Sequence, residues 1–294
     1  MNVATDLHGH TRFSDGRATP EEYVAFRREL GMRVIAVADH DLFAGVRRAA
    51  TAIAQTRASM LLVPAAEITS FLHFGSADAE QFHVLAYFPP DVLRGGRLEG
   101  TWLYRRGLRV QAAWRAFVLA WLDGLDEDDR HAIDPEGALA KLAPVDFPAL
   151  QTTIDLVVAR RRPLFERFRD HHVAFWEHGS MAQELFGWTP EECIDAIRAD
   201  GAIDIVAHPA RYRDKARTRA VIELASGLEV YTSRHKPEVA AQWRDLADAR
   251  GKLWTASADD HQNARYVRPP CGTPLTTLER IVRAPLPLQM ILAA

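Results

Sequence analysis

The sequence predicts an α/β fold: a parallel sheet or barrel interrupted by a long helical insertion. Three observations carry that expectation. Short apolar runs alternate with amphipathic stretches over the first ninety residues. One of them, RVIAVAD (33–39), is apolar almost throughout, as suits a strand covered on both faces. The alternation stops near Asp91 and resumes after Trp188. Strand–helix alternation marks a parallel sheet. The expected division is therefore a strand–helix unit over 1–90 and 189–294, with a helical insertion over 91–188.

Each element has its own reason. NVATDLH (2–8) reads as the first strand. TPEEYVAFRREL (19–30) reads as a helix with Thr19 as N-cap, Pro20 at its first position and Glu22 closing a capping box; Gly31 ends it. RVIAVAD is a strand, AGVRRAATAIAQTR (44–57) a helix, and MLLVPAAE (60–67) and FHVLAYF (82–88) two further strands. In the insertion, residues 102–125 have the period of one long amphipathic helix, and 134–143, 148–162 and 163–178 are helical in pattern too. TPEECIDAIRAD (189–200) repeats the Thr-Pro-Glu-Glu helix start. AIDIVAHP, GLEVYTS and KLWTASADDH are the remaining strands, separated by helices over 214–225 and 236–251. The last stretch, 277–294, is expected to pack on the outside.

Composition narrows the function. The formal net charge is -3, so no global basic field recruits nucleic acid. Aromatic and basic residues do not interleave as on a nucleic-acid-binding sheet, which argues against long duplex partners but not against short oligonucleotides. Only four of the 36 cationic side chains are lysine; arginine suits phosphate where a planar fork is needed. No apolar run approaches the length of about 20 residues that spans a membrane. The N-terminus has no signal-peptide pattern, so a cytoplasmic location is expected. The two cysteines, Cys193 and Cys271, are far apart and form neither a disulfide framework nor a zinc knuckle.

The chemistry gathers at strand ends. His8 and His10 end the first strand, His40 follows RVIAVAD, and Glu67 ends MLLVPAAE. His83 starts FHVLAYF, His208 ends AIDIVAHP, and Asp259 and His261 end KLWTASADDH. Active sites of α/β barrels collect at one rim of the strands. Residues two apart on an extended segment share a face, which pairs His8 with His10 and Asp259 with His261. Imidazole and carboxylate without thiolate suit zinc, manganese or iron. So many ligands exceed the needs of one ion, and two or three divalent ions sharing a carboxylate are expected. His73, His131, His171, His172 and His178 lie in loops or in the insertion and are read as ordinary polar residues.

DLHGHTRFSDGRATPEE, VIAVADHDLFAG, AAEIT, FHVLAYF, VAHPARY, GLEVY and ADDH resemble, in order, the motifs of the polymerase-and-histidinol-phosphatase (PHP) superfamily. The resemblance covers nearly the whole chain outside the insertion. It is strongest to stand-alone phosphoesterases that remove the 3′-phosphate of nucleoside 3′,5′-bisphosphates or degrade short RNA from the 5′ end. It implies a distorted (β/α)7 TIM-like barrel with a helical cap and a trinuclear metal centre. By motif, one ion would take His8, His10, Glu67 and Asp259; a second would share Glu67 and add His83 and His208. A third would take Asp15, His40 and His261. His208 and His261 are also candidates for proton transfer to the leaving group. This chain departs from the family at small neighbours: ADHD, AAE and SADDH stand where TDHD, GxE and GSDxH are usual.

Phosphate recognition needs cations beyond the ligands. Arg211, Arg234 and His235 follow strand ends and are the expected substrate contacts; Arg160, Arg161 and Arg162 are further candidates in the insertion. The expected partner is a small phosphorylated substrate such as a nucleotide or short RNA. Competing readings are a phosphatase of the histidinol-phosphate type and a metal-binding but inactive module that serves a partner.

Overall fold

A computed structural model describes residues 1–56, 59–150, 154, 168, 180–233, 235–262 and 271–287. The expected helices at 148–162 and 163–178, with Arg160 to Arg162, fall almost wholly outside these residues, and so does Arg234.

The architecture is mixed α/β. A parallel three-stranded sheet runs β2 (Thr5–Asp6), β3 (Val34–Ile35), β4 (Leu61–Leu62). A five-stranded sheet runs β5 (Ala65–Leu72), β6 (Glu80–Tyr87), β7 (Ile203–Val206), β8 (Gly227–Tyr231), β9 (Leu253–Ala256). β1 (Asn2–Val3) pairs antiparallel with β10 (Thr273–Pro274). Among the described residues these three sheets do not join into one continuous sheet. Single bridges, Gly9 to Asp260 and His40 to Glu67, link the two larger sheets.

The expected parallel order fails at β6, which runs antiparallel to both β5 and β7. The reason is its connection. β5 and β6 are joined by the turn 73–79, shorter than the dozen or so residues that a parallel crossover requires.

Helices cover one face of the strands. α1 (Pro20–Glu29) starts as expected: Thr19 accepts from the Glu22 amide, and the Glu22 carboxylate accepts from the Thr19 amide. α2 (Ala44–Thr56) follows β3. Beyond β6 come α3 (Trp102–Asp123), α4 (Glu127–Ile133), α5 (Ser180–Phe186) and α6 (Pro190–Ala199). The stretch 134–143, expected to be helical, holds only a 3-10 turn at Leu139–Lys141, because Gly137 turns left-handed at φ +60. α7 (Lys215–Leu224) and α8 (Pro237–Ala249) connect the last parallel strands. Among the described residues no helix is long and apolar enough to cross a membrane.

Alternate strand residues part into two cores, as the two-residue period of a strand requires. Ile35, Val37, Val84, Ala86 and Val206 pack with Val24, Val46, Ile194, Val221 and Ala240 of the flanking helices. Val34, Ala36, Leu85, Tyr87 and Ile205 form a second core on the opposite face. That second core is closed by α9 (Leu275–Val282), whose Leu278 and Ile281 are fully buried. The described part of the C-terminal stretch, 277–287, therefore does not lie on the outside as expected: Leu278, Ile281, Val282 and Leu286 cover strand faces that the other helices leave open.

Candidate metal centre

The strand ends deliver the nine expected ligand residues to one place. His8 and His10 follow β2, and His40 follows β3. Glu67 stands within β5 rather than at its end. His83 comes early in β6, opposite Thr69, and reaches the same rim because β6 runs backward. His208 follows β7, and Asp259 and His261 follow β9.

Glu67 lies at the hub. Oε2 is 3.1 Å from His8 Nε2, 3.4 Å from His10 Nε2 and 3.1 Å from His40 Nδ1. Oε1 is 3.0 Å from His83 Nδ1 and 2.9 Å from His208 Nε2. Asp259 Oδ1 stands 3.4 Å from His10 Nε2 and 3.6 Å from His261 Nδ1. Asp15 lies 3.5 Å from His10, 3.6 Å from His40 and 3.2 Å from His261. The cluster is graded in exposure. Glu67 and His8 are fully enclosed, whereas the Asp15, His40 and His261 side chains are 32%, 27% and 22% exposed and form its solvent side.

The neighbours hold this arrangement. Glu229 sets Oε1 and Oε2 each 3.1 Å from His8 Nδ1, and it accepts from the His208 amide at 2.8 Å and from the Ser257 hydroxyl. Asp39 accepts from the Thr11 amide, the Thr11 hydroxyl and the Ser14 hydroxyl at 2.6–2.7 Å, fixing the loop that carries Asp15. In that loop a Cβ on Gly16 would lie 2.2 Å from the His10 carbonyl oxygen, so the turn needs glycine. His208 and Asp259 take positive φ, +28 and +51, uncommon for non-glycine residues and often found where structure is held for function.

Charge and burial divide the imidazoles. Burial opposes charge on all of them. It pushes His10 down to about 4, helped by the nearby His261. His83 is likewise pushed down to about 4 by burial, against the pull of Glu67. Desolvation also opposes charge on the partly enclosed His40, but the Glu67 and Asp15 carboxylates outweigh that and raise it to about 10. The same balance raises His8, through Glu229, Glu67 and Asp259. Burial would raise the Glu67 carboxyl, yet His8, His83 and His40 hold it well below the usual carboxylate range.

The donor set fits divalent cations. His40 Nδ1, His83 Nδ1 and His208 Nδ1 are buried and make no hydrogen bond, although Glu67 oxygens lie beside the first two. Buried polar atoms normally find partners, and ring nitrogens converging on one carboxylate find one in a shared cation. Among the described residues, three groups have ligand atoms within 4.8 Å of one another: His10, Asp15, His40, His261; His8, His10, Glu67; and His40, Glu67, His83. His10 and His40 each belong to two groups, so the assignment of ligands to ions is less segregated than the motifs imply.

A relative from Salmonella typhimurium, 5′-3′ exoribonuclease Rnm, is 37% identical over 90% of this chain and 87% of its own length. The chain belongs to the PHP family. The PHP domain family matches residues 6–86 directly. The Rnm protein of Escherichia coli is 25% identical over the same shares of the two chains. A solved structure from Bifidobacterium adolescentis, a candidate metal-dependent phosphoesterase, superposes with a TM-score of 0.64, 22% identity and 97% coverage of both chains; it shares the fold. This PHP protein is a metal-dependent phosphoesterase, a hydrolase of phosphoric esters.

The expected substrate contacts are less gathered. Arg211 is exposed, and its amide donates to the His208 carbonyl at 2.9 Å. His235 has Nδ1 2.8 Å from the Val230 carbonyl oxygen, and its Nε2 is buried without a hydrogen bond. Sequence reasoning missed Glu229, Asp39 and Asp41. For Glu229 a signal existed: in GLEVY it alternates with Leu228 and Val230, which face the helices, so its carboxylate had to face the centre.

Proposed function

We propose that this phosphoesterase hydrolyses nucleotides, either nucleoside 3′,5′-bisphosphates or short 5′-phosphorylated oligoribonucleotides. One observation carries the reading. A cavity of 850 Å³ is bounded by the ligand residues Asp15, His40 and His83 and walled by Phe13, Phe71, Phe74, Trp114 and Phe186. Aromatic walls give a base a surface to stack on, while the ligand residues lie where the phosphate must sit. The two Rnm relatives act on RNA by name, which supports the same class.

The centre is read as holding two or three ions of Mn, Zn or Fe on His8, His10, Asp15, His40, Glu67, His83, His208, Asp259 and His261. Bound ions would supply an acidified water and neutralise phosphoryl oxygens. The chain's own groups do the rest. Glu67 and Asp259 gather the imidazoles, and the aromatic walls exclude water from the base. His235, its Nδ1 proton held by Val230, is a further candidate substrate contact. Arg211 and Arg234 are the candidate phosphate contacts. His208 and His261 serve as ligands first; a proton-transfer role for either is secondary, since both rings face carboxylates.

Residues 91–188 are read as a cap, with Val110 and Trp114 of α3 contributing to the cavity wall. The two single bridges between sheets support a distorted barrel as the parent geometry. A cytoplasmic location fits such substrates.

The test is phosphate release with manganese from a nucleoside 3′,5′-bisphosphate, a 5′-phosphorylated oligoribonucleotide and histidinol phosphate. Nucleotide substrates are expected to lead, and Phe74→Ala to raise their KM by roughly tenfold, since a stacked base contributes about 1–3 kcal/mol. Preference for histidinol phosphate would overturn the nucleotide reading; stoichiometric metal without turnover on any ester would favour the inactive module.

A further inference from the structure

An arginine of the insertion reaches the loop that carries His40. α3 buries a largely apolar stripe of Leu103, Val110, Trp114, Phe117, Val118 and Trp121, with Gln111 among them. Arg106 stands in that stripe, 4% exposed. Its Nη1 donates to Asp41 Oδ1 at 2.6 Å, and its Nε and Nη2 donate to the Leu185 carbonyl at the end of the insertion. The guanidinium also lies 4.6 Å from the ring centroid of Trp188.

Asp41 directly follows the ligand His40. It sits at φ +59, a conformation that a non-glycine residue keeps only when its surroundings hold it. Its amide donates to the Glu67 carbonyl at 2.8 Å, and its Oδ1 accepts from the Thr69 amide at 2.9 Å. Thr69 lies two residues beyond Glu67 on β5. One carboxylate oxygen thus joins α3, the His40 loop and the strand that carries the hub carboxylate. The adjoining residue in α3 is Gly107, where a Cβ would stand 2.6 Å from the Asp41 carbonyl oxygen. Helix backbone and ligand loop are in direct contact, and only glycine permits that approach.

A buried ion pair is a poor choice for stability alone, since well-packed apolar residues often serve as well or better. A fixed bidirectional hydrogen-bond geometry is what an arginine adds. We propose that Arg106 is a positioning residue for the metal centre: through Asp41 it fixes the His40 loop, so the insertion sets the affinity of the solvent-side ion held by His10, Asp15, His40 and His261. The inference rests on the metal-centre reading above.

The test is titration of the full-length, metal-free protein with Co(II), read from its visible absorption, with unfolding followed in parallel. Wild type is expected to bind more than one ion. Arg106→Met should weaken the weakest-bound ion by about 10–100-fold, the range for loss of a group that orients a ligand, and weaken the tighter ions much less. His40→Ala should weaken the same ion, and the double variant should lose little more than His40→Ala alone. Arg106→Lys keeps the charge without the fork and should fall between wild type and Arg106→Met; it also serves if the methionine variant does not fold. Wild-type affinity for every ion in a less stable Arg106 variant would overturn the proposal, as would an equal loss at all ions. A wild-type protein that binds no cobalt would instead defeat the metal-centre reading itself.

Discussion

Glu229 sets both carboxylate oxygens 3.1 Å from Nδ1 of His8, leaving Nε2 to face Glu67. A carboxylate on the far nitrogen fixes the ring's tautomer and orientation and raises its basicity. Glu229 does the same for the backbone at His208, whose φ of +28 it stabilises by accepting from the amide. Replacing Glu229 with Gln keeps the volume and removes the charge. The expected result is a folded protein with manganese affinity lowered by about 10–100-fold, measured by calorimetric titration. An unchanged affinity would show that His8 needs no such support.

Metal uptake should release protons at neutral pH. In the metal-free site Glu67 and Asp15 raise His40 to about 10, so that ring is charged at pH 7. An ion takes the neutral ring, and one proton must leave. Burial keeps His10 and His83 near 4, so they are neutral already and release none. The sign follows: affinity rises with pH through the neutral range, because the competing proton on His40 becomes easier to remove. Calorimetry in two buffers of different ionisation enthalpy counts the protons. A count of zero at pH 7 contradicts the expectation.

The seam between β2 and β9 depends on one buried arginine. Arg27 of α1 donates to Asp6 at 3.0 Å and to Asp260 at 2.8 Å, with its guanidinium 3.8 Å from the centroid of the Tyr23 ring. Asp6 also accepts from the Ala258 amide, one residue before Asp259 of the candidate centre. Arg27→Met would strand two carboxylates in the core. A destabilisation of about 3–5 kcal/mol is expected, measured by urea unfolding. A loss under 1 kcal/mol would mean that the carboxylates find other partners.

Much of the centre was legible because its residues are of few types at repeated places. Imidazoles and carboxylates closing apolar runs stand out against strand composition, and the order of the motifs did the rest. The direction of β6 was not legible from FHVLAYF itself; it depends on a short turn whose composition does not announce a hairpin. His83 nonetheless reads as a strand-start residue, and only the reversed strand makes that position a rim position. The division into three sheets was hidden because apolar patterning reports which face is covered, not which ladders join. Arg106 was illegible for a different reason. One charged residue in an amphipathic helix looks like a solvated one until its partner, 65 positions earlier in the chain, is known.

The reversed strand also separates two kinds of change that a lineage of such enzymes could accumulate. Glu67 and His83 stand on interior rungs of the β5–β6 ladder, while Phe74 and its neighbours lie beyond the last rung, Leu72 to Glu80. Residues added to or lost from the turn would reshape the aromatic wall of the cavity without moving Glu67 or His83 by a single rung. Substrate choice can drift there while the hydrolytic apparatus stays in register.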